Sequence, residues 1–215
     1  MNRRLEPELL DSLPPDHPDA IHSRRDLRLV NRVMGNAPWF EQTLARHIRP
    51  HDRVIELGSG TGELSARLRT IAPLVDGIDR IPAPPAWPAS ARWHQADIQT
   101  FTGWNAYSVV IGNLILHHFD NVSLRALGEA ISPHARLLLF SEPTRKRLNQ
   151  LFWNIAAPLC GANHVTRHDG RVSIAAGFLA DELPHALGLD PSLWRWKISH
   201  TWLGAYRLIA ERREP

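Results

Sequence analysis

The sequence predicts an α/β fold, a mostly parallel sheet with helices on both faces, and three features carry that expectation. Short apolar runs alternate with amphipathic stretches of helical period. A glycine turn, Gly58-Ser59-Gly60-Thr61-Gly62, follows the first of those runs. The last two β-like runs are joined by the tight connection Trp202-Leu203-Gly204-Ala205. Strands separated by helices are joined in parallel, whereas so short a link implies an antiparallel pair, here at the sheet edge.

The elements follow in order. Residues 1–22 are rich in Pro, Asp and Glu and read as an extended, flexible arm. A helical cap is expected over 23–50: one helix from Ser23 as N-cap, packing through Leu27, Val30 and Met34 and stopped by Gly35-Asn36, then another over 38–47. The main domain spans 51–215. Its strands are expected at 53–57, 74–78 and 107–114, with a unit at 93–97 leading into the third crossover and a fifth strand at 135–140. Helices are expected at 63–70 and 123–131, and a Pro-rich loop at 81–88. Residues 144–173 form an insertion with a helix near 146–157 and a polar loop after it. A helix at 178–187 and strands at 194–199 and 206–211 complete the chain.

A chain of 215 residues suits one domain with a small cap. Its longest apolar stretch, residues 151–162, is interrupted by Asn154 and Pro158 and is too short to span a membrane. The opening Met-Asn-Arg-Arg-Leu-Glu-Pro lacks the apolar core of a signal peptide, and the single cysteine, Cys160, suits a reducing cytoplasm; it reads as core filler. A nucleic-acid binder usually shows a stronger field than a net charge of +3, often with aromatics interleaved, so the basic clusters at 23–28 and 145–147 read first as solvated helix faces. The sequence leaves a homodimer open.

The glycine turn is the most informative segment. A strand running into Gly-x-Gly-x-Gly and then a helix lets backbone approach a ligand at the carboxyl edge of the sheet. Dinucleotide-binding turns place a third glycine three residues after the second; here that position is Glu63, whose charge would repel a pyrophosphate, and the third glycine is Gly62. Glu56, just before the turn, offers a negative charge for a cationic aminoacyl group. Asp79 ends the second strand, where a carboxylate accepts ribose hydroxyls, with Arg80 beside it. Asp97 suits the exocyclic amine of an adenine, with Ile98 as an apolar partner for the ring.

In this order the residues resemble the class I S-adenosylmethionine-dependent methyltransferases, over about 53–212. Glu56-Leu57-Gly58-Ser59-Gly60-Thr61-Gly62 looks like that family's first motif, Asp79 like its ribose acid and Asp97 like its adenine-side acid. Asn113-Leu114-Ile115-Leu116-His117-His118-Phe119 looks like the fourth-strand motif of the ubiquinone- and menaquinone-type small-molecule enzymes. The resemblance implies a Rossmann-like seven-stranded sheet with an antiparallel last strand. It also implies S-adenosylmethionine as donor, S-adenosylhomocysteine as product, and donor contacts at Glu56, Gly58, Ser59, Gly60, Gly62, Asp79, Arg80, Asp97, Ile98 and Asn113. Two further segments, residues 25–36 and Asn163-His164-Val165-Thr166-Arg167-His168-Asp169, resemble methyltransferases found near bacterial type III polyketide synthases. That implies a phenolic, pyrone or quinone-like acceptor.

Methyl transfer to a hydroxyl needs alignment, exclusion of water and a base for the proton. Among 12 histidines, His117 and His118 follow the fourth strand, while His164 and His168 lie in the insertion with Asp169 able to orient an imidazole. These four are the base candidates, against the plainer reading that they cap turns or line a pocket. Glu142-Pro143 reads as a loop acid after the fifth strand, and Asn31 and Trp39 as residues near the acceptor entrance. Trp194, Trp196 and Trp153 read as packing first. Asn113 is not followed by Pro-Pro-Tyr, which argues against methylation of base or amide nitrogen, and Asp120-Asn121 reads as a helix cap, so no metal is expected. Two alternatives remain: a nicotinamide-dependent oxidoreductase, against which the glycine spacing speaks, and a non-catalytic relative, against which the full set of acids speaks.

Overall fold

In the computed structural model, which describes residues 1–14 and 16–214, seven strands share one sheet. They are β1 (Val54–Leu57), β2 (Val75–Asp79), β3 (Trp93–Gln95), β4 (Val109–Asn113), β5 (Leu137–Pro143), β6 (Trp194–His200) and β7 (Ala205–Arg212). Their order is β3-β2-β1-β4-β5-β7-β6. The first five are mutually parallel, and β7 runs antiparallel to both β5 and β6. The registers Leu57↔Ile78 and Leu57↔Gly112 bring the ends of β1, β2 and β4 level. The chain reverses its direction of winding between β1 and β4, and the loops after these strands meet at that crevice.

The central strands are buried on both faces, as a covered parallel sheet requires. One face sends Ile55, Leu57, Val110, Leu138 and Phe140 into a core shared with α5 (Asn121–Ile131) and α8 (Glu182–Ala186). The other sends Val54, Val75, Val109, Ile111 and Leu139 against α3 (Asn36–His47) and α4 (Glu63–Leu68). Gly128 of α5 lies so close to the turn after α8 that a Cβ there would sit 1.8 Å from the carbonyl oxygen of Leu187.

The N-terminal region differs from expectation. A short helix, α1 (Leu9–Ser12), precedes α2 (Pro18–Met34), which starts at Pro18 with the His17 side chain accepting the Asp19 N–H at 3.2 Å. Proline at the first helical position is preorganised for the helix, so the start falls earlier than Ser23, which is buried inside α2, while Leu27 is exposed. The segment before α2 is not a loose arm: Arg4 N–H donates to Ala175 O, and the Leu9 and Leu10 N–H groups donate to the Asp169 carboxylate at 2.8 and 2.9 Å. Pro15, within the expected arm, and Pro215, at the end of the main domain, lie outside the described residues. Gly35, at φ 66°, ends α2 and starts α3 in one residue.

The insertion also differs. After α6 (Arg147–Leu159) the expected polar loop is mostly a helix, α7 (His164–Ala176), capped by Asn163 accepting the Thr166 N–H at 2.9 Å. Its polar residues hid an apolar face of Val165, Val172 and Ala176, and its Gly170 admits the Trp153 indole of α6. The last of the expected helices is shorter than 178–187 because Phe178 bridges to Thr144 instead. Strand β5 runs on to Pro143, since its ladder with β7 continues to Pro143↔Ala205. Cys160 is exposed rather than core filler, and Arg145 is buried and paired with Glu182 rather than solvated.

Candidate active site

Three glycines at φ 61°, 51° and 73° (Gly58, Gly60, Gly62) shape the turn between β1 and α4, a backbone path that disfavours side chains. Close packing demands them as well. A Cβ on Gly58 would lie 2.8 Å from Ile115 Cδ1, and one on Gly62 would lie 3.0 Å from the Trp87 ring. The turn is braced from within: the Ser59 hydroxyl donates to the Glu56 carbonyl at 2.8 Å and the Ser59 N–H to Ile78 O at 3.2 Å. Asp79 reaches it from β2, accepting the Gly60 N–H at 2.8 Å and the Ile81 N–H at 3.2 Å. The glycine turn and the expected ribose acid therefore form one unit.

Asp97 is exposed at the same edge, its carboxylate accepting the Gln99 N–H at 2.8 Å, with Ile98 buried beneath it and Arg80 exposed after Asp79. Glu56 departs from expectation. It shares a sheet face with Val54, points at α4 and accepts the Ser65 hydroxyl. Burial pushes its carboxyl up to about 8, so at neutral pH it is mostly protonated rather than a negative charge for an amino group. Its role in the structure is to tie β1 to the helix that the glycine turn starts.

Asn113, at the end of β4, joins a polar cluster that links the sheet edge to the helical cap. Its Nδ2 donates to Asn31 Oδ1 at 2.9 Å, and its Oδ1 accepts Asn36 Nδ2 at 2.8 Å. Asn36 in turn accepts the Ser141 hydroxyl at 3.0 Å. Asn31 thus reaches the sheet edge, while Trp39 lies against Arg207, whose guanidinium carbon is 5.3 Å from the ring centroid. In the sequence Asn36 shows only as part of the Gly35-Asn36 helix stop; its burial and its link to Asn113 come from the packing of α3 on the sheet edge.

The four histidines separate clearly. His117 is 3% exposed; its Nδ1 donates to Glu142 Oε2 at 2.7 Å, and its Nε2 lies 3.6 Å from Glu8 Oε1. Burial alone would lower its pKa, but the hydrogen bond to Glu142 and the nearby carboxylate of Glu8, with their charges, outweigh it and hold the ring at about 9. Neighbouring His118, with ring centroids 4.2 Å apart, is pushed down by dense packing and then by the charge on His117, so it is neutral at pH 7. His168 is on α7, not a loop; its Nδ1 donates to Asp169 at 2.9 Å, and it lines a cavity of about 520 Å³ shared with Met1, Arg4 and Arg171. His164 is exposed at the start of α7, 4.0 Å from Asp19.

Glu142 is not a loop acid. Fully buried in β5, it accepts the N–H groups of Ile115, Leu116 and His117 at 3.1, 2.8 and 3.3 Å, fixing the backbone after β4. Glu8 and Arg3 come from the segment read as a flexible arm. Arg3 donates to the carbonyls of His117, Phe119 and Ala176, and its guanidinium carbon lies 4.6 Å from the Phe178 ring centroid. Nothing in the local pattern marked either residue, because their partners lie far away in the chain.

No protein-family model matches the sequence, and no curated protein sequence matches it. Solved structures do. The plantazolicin methyltransferase BpumL, in complex with SAH, superposes with a TM-score of 0.71 at 13% identity, covering 95% of this chain and 93% of that one. The pyocyanin biosynthetic protein PhzM superposes at 0.59 with 16% identity over 92% of this chain and 60% of its own. Human N-acetylserotonin methyltransferase, in complex with SAM, gives 0.57 at 14% identity over 95% of this chain and 61% of its own. At these identities the likeness is one of fold, and the chain has the Rossmann-like fold of these methyltransferases.

Proposed function

We propose that the protein transfers a methyl group from S-adenosylmethionine to a small aromatic metabolite of phenolic, pyrone or quinone-like character, on oxygen. The observation that carries the donor is the Asp79 carboxylate bonded to Gly60 within the left-handed glycine turn at the crevice between β1 and β4. Gly60, where a Cβ would meet nothing nearer than 4.0 Å, leaves backbone open to a ligand there, and a partly exposed carboxylate at its rim suits a ribose diol. When bound, the donor supplies a methyl already activated on sulfur. Asp79 then orients its ribose, Asp97 and Ile98 receive the adenine, and Gly58, Ser59, Gly60 and Gly62 carry the turn that holds the remainder.

The acceptor needs a base, and the charge states favour one histidine. His117 keeps its proton at neutral pH between two carboxylates, so it positions the segment after β4 instead of taking a proton. His118, neutral and with exposed surface, takes the proton from the acceptor hydroxyl as its oxygen attacks the methyl carbon, and the sulfur leaves as a neutral thioether. Asn31 and Asn113 line the approach from the cap. His168 offers a second reading of the base, because Asp169 orients its ring and it faces a cavity.

Calorimetric titration of the purified protein with S-adenosylhomocysteine and with NADH tests the donor. Binding of the first alone is expected; tighter binding of NADH would replace this reading with an oxidoreductase, and binding of neither with a non-catalytic relative. Comparing metabolites of cells with and without the protein, for a mass shift of one methyl group, identifies the acceptor.

A further inference from the structure

The helix α6 displays its apolar side to solvent. Leu148, Leu151, Phe152, Ile155 and Leu159 recur at spacings of three, one, three and four, which places them on one helical face, and all are exposed, Leu159 at 82%. Ala157 is the only buried residue of this helix. The β6–β7 turn adjoins its first turn: Thr144 N–H donates to Gly204 O at 2.7 Å, and a Cβ on Gly204 would lie 3.3 Å from Asn149 Nδ2. At the tip of that turn Trp202 is 93% exposed. An exposed apolar surface this continuous marks an interaction site.

Charge decides what covers it. No Asp or Glu occurs between Glu142 and Asp169, and Asp169 is buried and bonded to backbone. The exposed charges next to the stripe in the chain are Lys146 and Arg147 at its start; α7 packs on the opposite side of α6, where Gln150 and Trp153 meet it and where Arg171 and Glu6 line one cavity. A second copy docked on the same face would add a second Lys146 and Arg147 and, from α6 itself, no carboxylate to offset them. A bilayer carrying anionic headgroups offers both an apolar interior for the stripe and the opposite charge for its rim. Tryptophan at a loop tip suits the headgroup level of such a surface. No helix among the described residues is long and apolar enough to cross a membrane, so the contact would lie along the surface.

We infer that α6 and the Trp202 turn form a docking face for an anionic lipid bilayer. The inference is independent of the methyl-transfer reading. Co-sedimentation of the full chain with vesicles of phosphatidylglycerol and phosphatidylcholine, against vesicles of phosphatidylcholine alone, tests it. Binding to the mixed vesicles, weakened by added salt, is expected. The double variant Leu151→Glu, Phe152→Glu should abolish binding with an unchanged circular dichroism spectrum, and Lys146→Glu, Arg147→Glu should weaken it by about tenfold or more. Wild-type protein left in the supernatant with the mixed vesicles would overturn the inference, as would equal binding by the Leu151→Glu, Phe152→Glu variant. A dimer in sedimentation velocity that this variant converts to monomer would overturn it too, assigning the face to a second copy.

Discussion

Asp79 and His118 carry the two chemical tasks assigned to single residues, and each gives a separate readout. Replacing Asp79 by Ala removes the acceptor for Gly60 N–H and the carboxylate proposed to hold the ribose. Hydrogen bonds to a charged group contribute about 1.5–3 kcal/mol, so S-adenosylhomocysteine affinity should fall by about ten- to a hundredfold with the fold retained. Unchanged affinity in a calorimetric titration would place the ribose elsewhere. For His118→Ala, with the acceptor in hand, kcat should fall by about 10²- to 10⁴-fold while donor affinity stays the same. The wild-type pH–rate profile should lose activity in acid below the 6.5 of a free imidazole, because the ring pKa is lowered. A wild-type acid limb near pH 9 would instead identify His117 as the base.

At the scale of elements, close approach outweighs local preference. Alanine forms helix better than glycine by about 1 kcal/mol, so Gly128→Ala would stabilise an isolated α5. In the folded chain its Cβ would stand 1.8 Å from the Leu187 carbonyl oxygen, which is backbone and cannot swing aside. We expect Gly128→Ala to lower the melting temperature, with overpacking of about 1–3 kcal/mol or more. The N-terminal segment is fastened in a different way, by a few polar anchors. Arg3→Ala removes donors to three backbone carbonyls and a stacking contact on Phe178, leaving those carbonyls without that partner. A loss of about 1–3 kcal/mol in denaturant unfolding is expected, together with faster proteolysis ahead of α1. An Arg3→Ala protein as resistant as wild type would show that Glu8 and Asp169 hold the segment unaided.

The whole molecule should be most stable on the mildly acidic side of neutrality. Glu56 titrates at about 8 in the folded chain against an ordinary 4.5, so it favours folding fully below 4.5 and loses that contribution as pH rises through 8. His117, at about 9 against 6.5, adds stability that is complete below 6.5 and lost as pH rises through 9. Both therefore make unfolding easier on going from pH 6 to pH 9. Asp52 and Glu8 act in the opposite sense: burial opposes their ionisation, yet the hydrogen bond from Arg136 and the nearby His117 ring respectively hold their pKa values below the ordinary range, so their contribution fades in acid. Denaturant midpoints measured across pH 4 to 9 should show a maximum between these limits. Glu56→Gln should flatten the decline up to pH 8 and leave the part due to His117.

Much of the fold was written in local pattern. The strand–turn–helix rhythm, the stop at Gly35, the cap at Asp120 and the final hairpin each depend on neighbours a few residues apart, and a sequence exposes those directly. The spacing of Gly58, Gly60 and Gly62 and the position of Asp79 were legible for the same reason, because a parallel sheet brings consecutive strand ends to one edge. What only the tertiary structure decided concerns charge and burial across long separations. Glu142 passed for a loop acid until the β7 ladder extended β5 around it, and Glu8 passed for part of a loose arm until His117 came within 3.6 Å. Glu56 looked like an anion because the sequence shows its ionisable group but not the apolar face that suppresses its charge. Residue type announces what a side chain can do; the solvent and partners around it, supplied by distant parts of the chain, determine which protonation state it adopts.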